Sequence, residues 1–322
     1  MPLTTDLRIL SAARNAVKAL EEINGVHPGF RPAHAKGVLL SGTFRPAADA
    51  ASLTRAPHLA AASTPVTVRF SDFAGIPQIP DNHPQGASPR GCAIRFHLGD
   101  RVHTDIIGHS TDGFPVRTGE DFADFLNAVR TSGPDASKPT PIEQFLGAHP
   151  ETVPFVTAPK PIPTSFARES YFSVTAYQFL NAAGEAKFGR YRVRSEEGGQ
   201  YLTAEEAAAQ GPNFLFDELT GRIARGPVKL NVVVQIAADG DVVDNATVSW
   251  PAERPEIAFG TVELTSILPD GDTESQRIIF DPIPRVDGIE PSADPLLDVR
   301  ANAYLITGRK RREALGLGKP HA

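Results

Sequence analysis

The chain has 322 residues with a single Cys92, one methionine, one Trp250, and a formal net charge of −6 from 32 Lys and Arg against 38 Asp and Glu. One cysteine excludes an internal disulfide and a Cys-rich zinc or iron–sulfur cluster, and the acidic balance excludes a general basic field for nucleic acid or anionic lipid. No run approaches the roughly 20 apolar residues of a bilayer span, so the chain is expected to be soluble and, with one unpaired thiol, cytoplasmic.

Residues 1–25 place Leu7, Leu10, Ala13, Val17 and Leu20 at three- and four-residue intervals, which predicts an amphipathic helix that Gly25 ends. Its acidic residues and helical periodicity do not read as a secretory signal, so it is expected to be a folded first element. From Gly37 to about His109 the runs GVLLSGTF, VTVRFSDF, GCAIRFHL and VHTDIIG predict strands of an antiparallel sheet. Helical spacing returns in EDFADFLNAVRTS and PIEQFLGAHPETVPFV, with Pro141 suited to a first helical turn. SYFSVTAYQFLNAAGEAKFGRYRVRS, folded at GEAKF, and PVKLNVVVQIAA form a second strand set, with helical TAEEAAAQ and PNFLFDELTGRIA between them. A last helix is predicted over residues 294–318. No βαβ alternation is present, so the expectation is a single α+β domain over residues 1–322, built on an antiparallel barrel of about eight strands with interleaved helices.

Most of the nine histidines are expected to be ordinary, with His27, His58, His83 and His321 solvated in polar, Pro-rich or terminal surroundings. His103-Thr104-Asp105 has the His-x-Asp spacing of non-haem iron sites, but the second histidine such a site needs is poorly supplied downstream, by His149 or His321. His34 differs, standing directly before a strand in RPAHAKG with Arg31 at the same turn. Arg69 and Ser71 share one strand face. They are either half of a surface ion pair or a buried cation and hydroxyl that require partners. In the last helix Arg300 and Tyr304 are i and i+4, and Arg311 returns to their face two turns on. A tyrosine between two arginines is suited to the phenolate form and hence to a haem iron, with Arg311 able to meet a propionate; the alternative is a core aromatic with its hydroxyl at the edge.

Taken in order, PAHAKG, VRFSDFAG, SPRGCAIRF, DIIGHSTDGFPVR, HPET and RANAY resemble the landmarks of haem catalases over about residues 27–312, and the length resembles the small catalase-related peroxidases that keep only the haem-binding core. The resemblance implies haem b as cofactor and Tyr304 as the iron ligand, with Arg300 holding it as phenolate. It implies that His34 is the distal acid–base group and Ser71 the hydroxyl that fixes its ring. Arg31, Arg69 and Arg311 are then the propionate arginines, and Phe114 and Phe122 the aromatics of the haem pocket. Three departures accompany it. His109 stands where catalases carry the distal asparagine, Ser88 replaces an acidic residue of the substrate channel, and Phe73 replaces a small aliphatic residue.

The expected function is therefore a haem peroxidase, an oxidoreductase that reduces hydrogen peroxide or an organic hydroperoxide with a small organic reductant and keeps weak catalase activity. The alternatives are a fatty-acid hydroperoxide isomerase or dehydratase, and a non-catalytic haem carrier or sensor. A dimer is expected, with no nucleic-acid or membrane partner.

Overall fold

The computed structural model of the chain describes residues 3–84, 86–269 and 271–316. Helix α1, Leu7–Asn24, begins where the Asp6 side chain accepts from the N–H groups of Arg8 and Ile9, and stops at Gly25, whose φ of +78° suits glycine. Its small buried residues Ala12 and Ala13 seat it against Val299 of the last helix.

Eight of the twelve strands among the described residues form the closed sheet: β1 Gly37–Pro46, β2 Thr64–Ser71, β3 Gly91–Gly99, β4 Val102–His109, β5 Ser170–Phe172, β6 Ala186–Ser195, β7 Val228–Ile236 and β8 Glu256–Ile267. Each pairs antiparallel with the next in sequence, and β8 pairs with β1, so the sheet closes on itself. This is the antiparallel barrel of the α+β expectation, and closure leaves its central strands no free edge. The interior is filled at every second position, by Val66, Val68 and Phe70 of β2 and Cys92, Ile94 and Phe96 of β3, together with Phe44, Phe259 and Leu264.

The same alternation puts Arg69 and Ser71 on the outer wall. The cation and hydroxyl are buried, but between the barrel and the covering helices rather than inside the barrel. Helix α2, Gly119–Thr131, and helix α3, Leu296–Ala314, lie over this side with α1. Other helices stand at Pro141–Ala148, Ala204–Ala208 and Phe214–Arg225, as the spacing predicts. Residues 1, 2, 317 and 318 of the two predicted terminal helices, and His321, lie outside the described residues. No described helix is long and apolar enough to cross a membrane.

His58 corrects the expectation of a solvated ring. The short helix Pro57–Ala60 drives it among Phe96, Phe259 and Phe44, with centroid separations of 4.8, 5.5 and 6.1 Å, leaving 1% of its surface exposed. Burial pushes its pKa down to about 4. In the unfolded chain an imidazole titrates near 6.5, so below that pH the unfolded state takes up a proton that the folded state refuses. The stabilising effect of keeping the ring neutral is present above pH 6.5 and is lost as the pH falls toward 4. Between pH 7 and pH 5 this one residue is expected to remove about 2 kcal/mol of stability. Urea unfolding at the two pH values should show the drop, and His58→Phe should reduce it by that amount; an unchanged difference would clear His58 of the effect.

Candidate active site

Strand register assembles one wall of the site. Ser71 of β2 faces Gly91 of β3, which faces His109 of β4, so the three form a row across neighbouring strands. The absence of a side chain at the centre of that row makes room for an imidazole. A Cβ on Gly91 would lie 2.6 Å from Ser71 Oγ and 2.9 Å from His34 Nδ1.

His34 fills this space from the segment before β1. Its Nδ1 is 3.1 Å from Ser71 Oγ, and Phe73 stands edge-on to the ring at 5.5 Å. The backbone at His34 has φ +58°, a conformation that costs a non-glycine residue roughly 1–3 kcal/mol. It is held there from both sides. The His34 N–H donates to the Phe73 carbonyl, the Ala35 N–H to the Ala74 carbonyl, and Arg69 Nη2 donates to the His34 carbonyl at 2.9 Å. Burial, then the charges of Arg69, His109 and Arg31, push the His34 pKa to about 3, against a weaker upward pull from a hydrogen bond to the Asp72 backbone. His109 is also pushed to about 3, by burial and by the charge of Arg300, and its Nδ1 accepts the Thr111 N–H at 3.3 Å.

The facing wall is α3. Arg300 Nη2 lies 3.5 Å from Tyr304 Oη, and its guanidinium stands over the Tyr304 ring at 5.9 Å. Burial lowers the Arg300 pKa, but the oxygens of Tyr304 and Tyr177 and the carboxylate of Asp294 more than reverse this, so the net shift is upward. Phe114 and Phe122 pack on each other at 5.2 Å. Arg31, His34, His109, Phe114, Phe122, Arg300 and Tyr304 all keep part of their surface accessible, although Arg31, His34, His109 and Arg300 are enclosed by protein on all sides. His109 feels the charge of Arg300 and Arg31 that of Tyr304, which brings the two walls close together.

Beside these walls three arginines meet. Arg311 Nε donates to the Gln276 carbonyl, Arg311 Nη2 and Arg31 Nη2 both donate to the Ile278 carbonyl, and Arg69 Nε donates to Ser275 Oγ. None of the three pairs with a carboxylate among the described residues, and Arg31 Nη1 is buried without a partner. Burial and mutual repulsion push Arg69 down to about 9, and Arg31 and Arg311 well below their ordinary value. The buried Arg69 and Arg311 and the half-buried Arg31, without counter-charge among the described residues, make a receptor for carboxylates.

Hydrogen bonds and mutual charge effects link Arg31, His34, Arg69, Ser71, His109, Arg300, Tyr304 and Arg311 to one another, while Phe114 and Phe122 pack on each other, and Arg69 is a buried cation rather than half of a surface ion pair. Among the described residues no three His, Cys, Asp or Glu side chains converge on a metal position, and Asp105 is gripped by Arg95 at 2.7 and 2.9 Å, so the non-haem iron reading has no site. Ser88 is buried against Arg90, whose Nη1 donates to it at 2.8 Å. The carboxyl facing Arg90 is that of Asp72, at 3.6 Å. Burial, opposed by Arg90 and reinforced by Asp81, pushes the Asp72 carboxyl up to about 8. Sequence reading missed Asp72, Ser275 and the carbonyls of Gln276 and Ile278. The last two are backbone groups with no residue signature, and the VRFSD motif was the one available pointer to Asp72.

Comparison with known proteins identifies the family. The family model described as Catalase matches residues 22–316. The chain is 35% identical to a catalase-related peroxidase of Mycolicibacterium paratuberculosis over 294 residues, covering 90% of this chain and 91% of that protein. It is 32% identical to a catalase-related peroxidase of Synechococcus elongatus over 304 residues, covering 93% and 88%. The structure of catalase A from Saccharomyces cerevisiae superposes with a TM-score of 0.77 at 21% identity, over 100% of this chain and 70% of the longer yeast chain. The match across nearly the whole length, with the shared barrel, places the chain in the catalase family, whose members are oxidoreductases acting on peroxide.

Proposed function

We propose that the chain is a haem b peroxidase that reduces hydrogen peroxide or an organic hydroperoxide with a small organic donor and evolves oxygen only weakly. The observation that carries this reading is an Arg300–Tyr304 pair beside a His34–Ser71 pair and His109, next to three arginines without a carboxylate partner among the described residues. These residues fit haem. Tyr304 offers an oxygen to iron, Arg31, Arg69 and Arg311 supply donors for two propionates, including the orphaned Arg31 Nη1, and Phe114 and Phe122 supply apolar walls. Bound there, haem supplies the iron that exchanges electrons with peroxide.

The chain's own residues handle the proton. His34 stays neutral far below physiological pH, so its Nε2 is free to take the proton from one peroxide oxygen and return it to the other. Ser71 fixes the ring through Nδ1, and the braced backbone at φ +58° fixes its position. At His109 the Thr111 N–H is a donor, so Nδ1 accepts and the proton of the neutral ring sits on Nε2. His109 therefore presents a hydrogen-bond donor where the family's asparagine would. Replacing His109 by Leu is expected to lower kcat/KM for peroxide about 10–100-fold, and His109→Asn, which keeps a donor, should recover most of it. Equal losses in both variants would show that the donor is not what matters.

The whole reading is tested by expressing the protein with ample haem and recording its absorption spectrum, followed by parallel measurement of oxygen evolution and of donor oxidation after peroxide addition. A Soret band and faster donor oxidation than oxygen evolution are expected. Absence of the band would overturn the proposal.

A further inference from the structure

The groups that meet Arg31, Arg69 and Arg311 belong to one short stretch of chain. Arg69 reaches Ser275, Arg311 reaches Gln276 and Ile278, and Arg31 reaches Ile278. Two further arginines, neither assigned to haem, fill the positions left over. Arg312 donates to the Arg277 carbonyl from Nε and Nη2, at 3.0 and 2.8 Å, and Arg95 Nη2 donates to the Ile279 carbonyl. Five guanidinium groups therefore engage five consecutive residues. The stretch begins in the helix Gly271–Arg277, whose last carbonyls have no partner within the helix and stand at the negative end of its peptide dipoles, so cations suit them as donors.

The downstream end is clasped as well. Asp105, 5% exposed, accepts from two nitrogens of Arg95 and, through Oδ2, from the Asp281 N–H at 2.7 Å. One ion pair across β3 and β4 thus holds a carbonyl and an N–H of the same segment. On the other side Ile279 lies in a notch of α3, since a Cβ on Gly308 would run into Ile279 Cγ1 and Cδ1. Ser275, Gln276 and Ile278 are buried while Glu274 and Arg277 are exposed, so the segment is a single layer of chain with arginines beneath it and solvent above. Arg69 and Arg311 are buried under that layer. A neutral carbonyl orients a guanidinium without cancelling its charge, and each guanidinium has five N–H groups, so these bonds leave both donors and charge for a propionate.

We propose that residues 275–281 are a strap that closes the propionate end of the haem site, and that Asp105, Arg95 and Arg312 are positioning residues that set how fast haem leaves. This rests on the haem reading and adds to it the element that retains the group. Release of a propionate from Arg69 and Arg311 through this face requires the strap to lift. Lifting it breaks the bonds to Arg312 and to the Arg95–Asp105 clasp, none of which is assigned to haem. The strap and the haem support each other, because the carbonyls keep the guanidinium forks aimed and the propionates supply the counter-charge that the forks lack.

The test follows the haem-loaded protein as it transfers haem to an excess of apomyoglobin, and the haem-free protein by hydrogen exchange read on peptides spanning residues 275–281. Arg312→Leu, at an exposed position, removes two hydrogen bonds and should speed haem transfer about tenfold. Arg312→Lys, which keeps a donor, should recover part of that. Asp105→Asn, which weakens the clasp, should speed transfer at least as much as Arg312→Leu. In both Arg312→Leu and Asp105→Asn the strap amides should exchange about tenfold faster without haem, while peptides from β1 and β2 exchange as before. Haem transfer unchanged in both variants would overturn the proposal. So would faster transfer joined to faster exchange throughout the barrel, the mark of a general loss of stability. Failure of the haem reading would show separately, as a missing Soret band in the unaltered protein.

Discussion

His34→Ala should lower the second-order rate with peroxide by about 10²–10⁴-fold, the usual contribution of a positioned acid–base group, while leaving the haem absorption band in place. The band should persist because the residues assigned to haem, Tyr304 and the arginines Arg31, Arg69 and Arg311, are untouched by the substitution. Alanine is strained at φ +58°, whereas asparagine visits this region with little penalty, so His34→Asn tests the same loss with the backbone held. The pH dependence offers a second readout. An ordinary histidine gains its proton near pH 6.5 and stops acting as a base below that. His34 and His109 are both held neutral down to about 3, so kcat/KM for peroxide in the unaltered protein should stay level from pH 8 to pH 5. A rate that His34 substitutions leave unchanged would favour a haem carrier over an enzyme, and a fall through pH 6.5 would mean that the pocket admits water to the ring.

What the sequence revealed followed the physics of local periodicity. Val66, Val68 and Phe70, or Cys92, Ile94 and Phe96, mark strands by alternation alone, and the i, i+4 spacing of Arg300 and Tyr304 puts them on one helix face. Strand β8 escaped because its alternation is broken. Its pairing with β7 slips by a residue between Val232 and Val233, its pairing with β1 slips between Ser41 and Gly42, and adjacent Phe259 and Gly260 are both buried. Nor can a strand that is buried on both faces reveal which face lines the barrel, which is why Arg69 and Ser71 pointed to a core without saying that it lies outside the barrel wall. The row Ser71, Gly91, His109 exists only in the register of three strands, and the burial of His58 only in its contacts with Phe44, Phe96 and Phe259, which come from three different strands. The deficit of negative charge around Arg31, Arg69 and Arg311 belongs to the same class. Each arginine is visible in the sequence, and the absence of a carboxylate beside it is a property of the fold.

That deficit predicts a reversal of sign. Arg31→Leu should stabilise the haem-free protein and weaken the haem-loaded one. Without haem the three arginines are desolvated, repel one another and have no carboxylate partner among the described residues, and Arg31 Nη1 lacks even a hydrogen bond. Exchanging an uncompensated buried charge for an apolar side chain relieves that cost, with an expected gain of about 1–3 kcal/mol. With haem the same guanidinium donates to a propionate, a charge-assisted bond whose loss should reduce haem affinity about 10–100-fold. Thermal unfolding of the two forms, together with the rate of haem transfer to an excess of apomyoglobin, reads both halves of the prediction. A melting temperature that falls in both forms would make Arg31 a packing residue. One that rises without haem, joined to faster haem loss, would identify the arginine cluster as a carboxylate receptor kept at the expense of apoprotein stability.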